Sequence, residues 1–481
     1  MTATAAIAPT IVEKKPVGLA FWMERVLEEC DRAGVGFAAD PVHDLRVALR
    51  RCRSMADGLM TMDPDPNWKK MKKAGKRLFS SLGELRDVQV MEEWVRRLEA
   101  HEDFTGVALL QYFASRETHL KAEAAKALAE FDRKQWKKWS TTLPRRATRI
   151  RQGSVLFKHL ALERWIEAHD LHRQAMRNRS GIAFHSLRIG IKRFRYIVEN
   201  FLPEQHAAWS DDLKKLQDAL GEVHDLDVLW TTALQIKAFP DAEARSRWHS
   251  RIVEERTQRI SKYREKMLGR SSLWQLWRDE LPQGEQIEMA AFGRLKLWAS
   301  FLDPDFKHSA HVARLALELY DGLPARGDSN GSGQRAVLQL AAWLHEVGRS
   351  KKEKNHHKAS YRLIAGLKPP LGCGPEALRE AGAVARYHRG RLPRSGQQPL
   401  LRLNLAQRKG TVRLAGILRL ANAFDSGHDG RIGRLEVHTQ NGFIEIAAQG
   451  YSARDRAAER IAAARHLLEN IYRRPILVKP A

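Results

Sequence analysis

His43, Arg46, Arg50 and Arg53 stand at i, i+3, i+7 and i+10 of the stretch VHDLRVALRRCRS, and His185, Arg188, Lys192 and Arg195 repeat that spacing in FHSLRIGIKRFRY. On a helix advancing about 100° per residue, such a set falls within a sector of roughly 80°. Leu45, Ala48, Leu49 and Cys52 then lie on the opposite side of the first segment, and Leu187, Gly190, Ile191 and Phe194 on that of the second. Each helix packs with one side and shows a ladder of cations on the other. Like charges one turn apart repel by about 0.2–0.5 kcal/mol per pair unless an anion lies between them. A solvated basic face is common on helices, but the same ladder written twice, with few acids on it, points to anion binding. Arg forks and Lys point charges both suit phosphate oxygens.

A second constellation lies further along: His311, His345-Glu346, His356-His357, His388 and Asp425. His345 and Glu346 end an apolar stretch, LQLAAWLHEVG. Ligands gathered from several helices would hold a divalent ion that activates water against a phosphate ester. Taken singly, each of these histidines reads better as a surface or capping residue than as a ligand.

The elements that must position both sets are almost all helical. Residues 1–16 read as a flexible tail. Beyond them Ala, Leu, Lys, Arg and Glu dominate, and apolar residues recur every three or four positions. MDPDP at Met62, FLPEQ at Phe201 and LPQGE at Leu281 punctuate the first half, the last marking a domain boundary. ARGDSNGSGQ, from Ala325, and KPPLGCGP, from Lys368, interrupt the second half. GRLEVHTQNGFIEIAAQG, from Gly433, alternates apolar and polar residues about Asn441-Gly442, which predicts a hairpin. A final helix from about Ala453 to Tyr472 precedes an extended PILV.

The first half is an internal duplication. HDLRVALRRCR from His43 matches HSLRIGIKRFR from His185, 142 positions on, and LGELRDVQV from Leu82 matches LGEVHDLDV from Leu220, 138 positions on. Lys76-Arg77 correspond to Lys214-Lys215. Asp87 and Asp225, in the LGE segments, suit ion pairing between helices.

With 481 residues, two or three domains are expected, and 43% hydrophobic residues suffice for packed cores. A net charge of +25 calls for an anionic partner: nucleic acid, an anionic membrane or a phosphate polymer. No apolar run suits a membrane helix, and the start MTATAAIAPTIVEKK lacks the features of a leader, so a soluble cytoplasmic protein is expected. Cys30, Cys52 and Cys373 are too scattered for a disulfide framework or a thiolate zinc site. No glycine-rich loop is present to hold a nucleotide through backbone amides. Aromatic residues such as Phe194 fall on the apolar side rather than among the cations. A polyanion held by its backbone therefore fits better than a strand whose bases are read, with nucleic acid the alternative partner.

The two cation helices with their LGE partners resemble the CHAD domain, the conserved histidine α-helical domain, over about Phe21 to Leu281. That resemblance implies two tandem four-helix bundles (residues 17–285, halves about 17–145 and 150–285) around a basic channel that binds inorganic polyphosphate. It further implies that His43, Arg46, Arg50, Arg53, Lys76, Arg77, His185, Arg188, Lys192, Arg195, Lys214 and Lys215 line the site. It adds an association with polyphosphate granules.

From about Phe292 to Val478, the motifs HSAHVARLALELYDGL, AAWLHEVGRS, HHKASYRLI, VARYHRGRLP and LAGILRLANAFDSGH, with the closing hairpin and helix, resemble the C-terminal HD-like domain of the exopolyphosphatase/guanosine pentaphosphatase family. The resemblance implies a helical domain over 286–481 with a small terminal β-hairpin/helix subdomain, making the whole protein mostly all-α. A working HD phosphohydrolase site uses a His, a His-Asp pair and a distal Asp. His311 and His345 match, but Glu346 stands where Asp belongs and Asn422 where the distal Asp belongs. The actin-like domains that carry the exopolyphosphatase active site have no counterpart. A degenerate HD-like module is expected, and no catalytic residue is assigned. The alternative is a metal-dependent phosphohydrolase acting on polyphosphate or a phosphorylated nucleotide, with Mg or Mn held by His311, His345, Glu346 and Asp425.

Overall fold

Pro66 and Pro203, prolines of two of the breakers, each occupy the first position of a helix, where a missing N–H leaves no hydrogen bond unmade. They open equivalent elements of the duplicated unit. The computed structural model describes residues 18–98, 103–324, 331–352, 354–440, 442–454 and 456–481. The expected tail, 1–16, lies outside these, as do residues 325–330 of the glycine-rich segment.

The first copy comprises α1 (Leu19–Ala33), α2 (Ala39–Leu59), α3 (Pro66–Ala74), α4 (Lys76–Arg97), α5 (Phe104–Ala129) and α6 (Arg133–Ala147). The second comprises α7 (Val155–Asn178), α8 (Gly181–Phe201), α9 (Pro203–Gln235), α10 (Ala242–Met267) and α11 (Leu273–Asp279). Helix α9 runs unbroken for 33 residues where the first copy has α3 and α4, parted at Gly75. The 138-residue offset puts Leu213 in the place of Gly75, and leucine sustains a helix that glycine weakens by about 1 kcal/mol.

Within each copy the long helices pack as a bundle. Helix α1 lies on α2, α2 on α4 and α4 on α5, with α6 against α1. In the second copy α7 lies on α8, α8 on α9 and α9 on α10, with short α11 against α7 and α10. The apolar faces expected for the ladder helices are inside: Leu45, Ala48, Leu49 and Cys52 on α2, and Leu187, Ile191 and Phe194 on α8, are fully buried.

The two copies meet where α2 lies on α8 and, less extensively, α4 on α9. Gly58 allows the close approach, since a Cβ there would stand 2.5 Å from Phe201 Cε2. Arg51 of α2 pairs with Glu199 of α8 and donates to Asn200 Oδ1 at 3.2 Å, while Asn200 donates to Ser54 Oγ at 2.9 Å. This unit ends at Pro282, and a second compact unit begins at Gln283.

The second unit contains α12 (Glu285–Leu302), α13 (Phe306–Gly322), α14 (Gly331–Leu344), a 3-10 turn (Val347–Ser350), α15 (His356–Ala365), α16 (Pro375–Arg386), α17 (Gln398–Leu401) and α18 (Leu405–Phe424). Strands β1 (Leu435–Thr439) and β2 (Ile444–Ala448), helix α19 (Arg456–Tyr472) and strand β3 (Ile476–Pro480) follow. β1 and β2 form the expected antiparallel hairpin. Gly442 adopts φ 95°, the left-handed conformation that its turn requires, and Asn441 lies outside the described residues. The terminal extended segment goes further than a hairpin/helix reading: β3 pairs parallel to β2, completing a sheet of order β1-β2-β3. Ile444, Ile446 and Ile476 point from that sheet into one core with Leu315 of α13, Leu338 of α14 and Ile417 of α18. Among the described residues no helix is long and apolar enough to cross a membrane.

Gly58→Ala forces Phe201 out of its place between the two copies. The expected loss is about 1–3 kcal/mol, read as a lower urea midpoint for unfolding of the first unit.

Candidate functional site

The cations of the first unit converge where α2 packs on α8 and the two ladders meet. Arg46 lies against α4: its Nη1 donates to the Leu82 carbonyl at 2.9 Å. Gly83 leaves the room, because a Cβ there would stand 3.1 Å from that same nitrogen. Gly221 is the equivalent residue on α9, with Arg188 Nε 3.9 Å from where its Cβ would be. Only Gly83 is required for its arginine to lie so close, since at Gly221 a Cβ would make an ordinary contact with Arg188. Phe79 lies under Arg46 and Arg53, at 5.6 and 5.1 Å from the ring centroid, and Tyr196 lies 5.7 Å from Arg50. Phe194 is buried as expected, but these two aromatic residues do meet the cations, as platforms beneath guanidinium groups.

Charges from both copies converge. The Lys192 ammonium is pushed down to about 8, first by burial, then by Arg188 on its own helix and Arg50 on the other. Arg46 is lowered by burial and by Arg50 and Arg86, against the pull of Asp87. Burial raises the Asp225 carboxyl to about 6 despite the nearby Arg188 and Lys192. His185 and His224 bring their Nδ1 atoms to 3.3 Å, and burial with Arg188 beside it drives His224 down to about 4, so it is neutral at pH 7. Arg86 stands in the first copy where His224 stands in the second, and it lowers His43 in turn, after burial. Both residues sit one position before the Asp of the LGE segments, a signal present in the repeat but unused in the expected site.

The other expected residues divide. Lys76, Lys214 and Lys215 are exposed on α4 and α9. Arg77 instead pairs with Glu130 just beyond α5. Arg53 donates to the Lys72 carbonyl at 2.7 Å, and Arg195 lies 3.7 Å from Glu199, the same carboxylate that holds Arg51. Arg53 thereby ties α2 to α3, whereas Arg195 pairs within α8.

In the second unit, the expected ligand set of His311, His345, Glu346 and Asp425 does not assemble. His308, one turn before His311, takes Asp425: Nδ1 donates to Asp425 Oδ2 at 2.7 Å, and Nε2 donates to Asn422 Oδ1 at 3.0 Å. The Asp425 carboxylate on one ring nitrogen and the Asn422 amide oxygen beside the other both favour the protonated ring. Its pKa is raised, burial opposing and the Asp425 bond prevailing, while Asp425 is lowered against burial by His308 and by the Gly430 N–H. His311 turns toward Arg314, 3.3 Å away. The helical step from His308 to His311 is about 300°, enough to point the two side chains differently.

Glu346 gathers other partners. His356 Nε2 lies 3.0 Å, His388 Nε2 3.3 Å and His345 Nε2 3.7 Å from Glu346 Oε1. Its carboxyl is held far below the usual range, burial opposing and the His356 and His388 contacts prevailing. Among the described residues the donor atoms of His345, Glu346 and His388 lie within 4.8 Å of one another, and His345 Nε2 is buried with no hydrogen-bond partner, as is His311 Nε2. An unpartnered buried imidazole nitrogen beside a carboxylate fits a metal ligand set.

The first unit is thus a duplicated helical scaffold in which cations of both copies converge. Residues 24–234 match the family model for the CHAD domain, and residues 297–447 match that for Ppx/GppA phosphatase, domain III. The chain carries a CHAD domain followed by a domain of the Ppx/GppA domain III type. A crystal structure of the CHAD domain from the plant Ricinus communis is similar, at 20% identity and a TM-score of 0.38, covering 55% of this chain and 89% of that one. No curated protein matches the chain.

Asp425→Ala leaves the His308 charge buried without its partner. We expect the second unit to lose about 3–5 kcal/mol, measured by chemical denaturation at neutral pH.

Proposed function

We propose that this protein binds inorganic polyphosphate in the groove between its two cation ladders, as a cytoplasmic protein of polyphosphate granules. The observation that carries the reading is a group of cations lacking partners. Arg50, Arg188 and Lys192 make no salt bridge among the described residues, and Arg188 Nε is buried without a hydrogen-bond partner. A polymer with a charge on every phosphate relieves several repulsions at once, and the ladder spacing asks for that multivalency rather than for a single ion. Binding then follows charge neutralisation with release of condensed counterions, so affinity falls steeply with salt. The second unit, in this reading, is an HD-like domain without phosphohydrolase activity. Its support is the engagement of Asp425 by His308, which takes the distal carboxylate out of the expected ligand set, and the neutral Asn422 beside it.

Arg50→Ala combined with Lys192→Ala should weaken binding of labelled long-chain polyphosphate by about 100-fold, at roughly 1.5 kcal/mol for each charge-assisted contact. Unchanged affinity in a folded double variant overturns the site, and equal competition by duplex or single-stranded nucleic acid overturns the preference for polyphosphate. Incubation with polyphosphate and Mg²⁺ or Mn²⁺ should retain polymer and release no phosphate.

The groove also sets a pH dependence. Lys192 has its free-state pKa lowered to about 8, so its charge is lost as pH rises through that value. Asp225, raised to about 6, gains a proton and ceases to compete as pH falls through that value. Affinity measured between pH 5 and 9 should therefore decline in two limbs, and Lys192→Arg should flatten the alkaline one while keeping binding.

A further inference from the structure

Between α16 and α18 the chain carries charge of one sign only. No Asp or Glu stands between Glu380 and Asp425, and residues 389–409 hold six cations, five leucines and no aromatic ring. This stretch forms a lobe with a firm seat. Leu400 and Leu403 are buried against Ala383, Tyr387 and Ala415 in a small core of their own. Arg408 Nε donates to the Leu400 and Leu403 carbonyls at 2.9 and 2.8 Å, and Arg419 donates to those of Tyr387 and Gly390 at 2.9 and 3.1 Å. Asn404 opens α18 in a capping box with Gln407. The seat is complete without the residues on the outer side.

Those outer residues are leucines and arginines. Leu392, Leu401 and Leu405 are 38%, 54% and 69% exposed. Arg391, Arg394 and Arg402 are exposed too, and they pair with no carboxylate among the described residues. Beside them α15 and α16 leave a cleft of about 170 Å³, walled by Ile364, Leu367 and Leu378 and lined also by Arg379 and Arg402. Arg379 is likewise exposed and without a carboxylate among the described residues. Lobe and cleft thus repeat one pairing, an apolar side chain beside a guanidinium that nothing in the fold neutralises.

We propose that this face docks on an anionic lipid surface, its arginines meeting phosphate headgroups while Leu401 and Leu405 enter the boundary between headgroups and acyl chains. Charge selects an anion, and the exposed leucines select among anions. Polyphosphate has no apolar surface, so leucines add nothing to its binding. Proteins that bind single strands stack bases on aromatic rings, which the lobe lacks. Hot spots between proteins favour Trp, Tyr and Arg over leucine. An anionic bilayer offers both chemistries side by side. The attachment is peripheral and needs no spanning helix. It concerns the second unit alone and stands or falls separately from polyphosphate binding by the ladders.

The test sediments the full chain with vesicles of phosphatidylcholine, or of an equal mixture of phosphatidylcholine and phosphatidylglycerol. Binding to the mixed vesicles and not to the neutral ones is expected. Arg391→Ala, Arg394→Ala and Arg402→Ala together should weaken it by about 100-fold. Leu401→Ser with Leu405→Ser should weaken it by about 10-fold or more. Both variants, checked for fold by circular dichroism, should keep the polyphosphate affinity of the unaltered chain. A polarity-sensitive dye attached at Leu405→Cys should shift its emission to the blue on mixed vesicles. Vesicle binding that survives the triple arginine change, indifference to the two leucines, or an unshifted dye overturns the proposal. Tighter capture of single-stranded RNA by the same arginines, with the leucines irrelevant, overturns it in favour of nucleic acid.

Discussion

The first unit depends on holding like charges together. The packing of α2 on α8 brings Arg46, Arg50, Arg188 and Lys192 into one field, and each lowers the affinity of another for its proton or its charge. Packing wins because the opposing terms differ in size. A fully buried leucine or phenylalanine contributes about 1.5–3 kcal/mol, whereas a pair of like charges one turn apart on a helix costs a few tenths, roughly 0.2–0.5 kcal/mol. The faces formed by Leu45, Leu49, Leu187, Ile191 and Phe194 therefore outweigh the repulsion on the other side. What remains is a groove whose charge is unsatisfied within the fold.

The duplication supplies that groove and then departs from symmetry. Gly83 opens the surface of α4 to Arg46, whereas at the equivalent Gly221 a Cβ would make only an ordinary contact with Arg188. The neighbours differ: Arg86 adds a charge beside His43, and His224 adds a neutral ring beside His185. Arg53 reaches a backbone carbonyl, and Arg195 shares Glu199 with Arg51 across the copies. The four rungs of each copy thus become two sets, one whose charges converge where α2 meets α8 and one engaged with a carbonyl or carboxylate of the fold.

In the second unit, two small substitutions have large consequences because the site is buried. Asn422 accepts from His308 rather than offering a charge, and Asp425 completes an ion pair with the same ring. His345, Glu346, His356 and His388 are left as a separate group. A buried carboxylate among imidazoles is stable only with protons or a cation to balance it, so the chemistry of this group is set by its enclosure.

The sequence alone determined what is local. Ladder faces, the repeat, the proline-opened helices and the hairpin at Gly442 all follow from spacing over a few residues, since helix and strand periodicities act at short range. Tertiary structure decided what depends on neighbours far along the chain. No spacing rule says that Arg51 meets the carboxylate beside Arg195, that Tyr196 lies under Arg50, or that β3 returns beside β2. The exchange of His311 for His308 is of the same kind. Both lie on α13 near its start, and only the position of the end of α18 selects which imidazole faces Asp425. Long-range packing fixes such pairings, and it leaves no mark on the residues that take part in them.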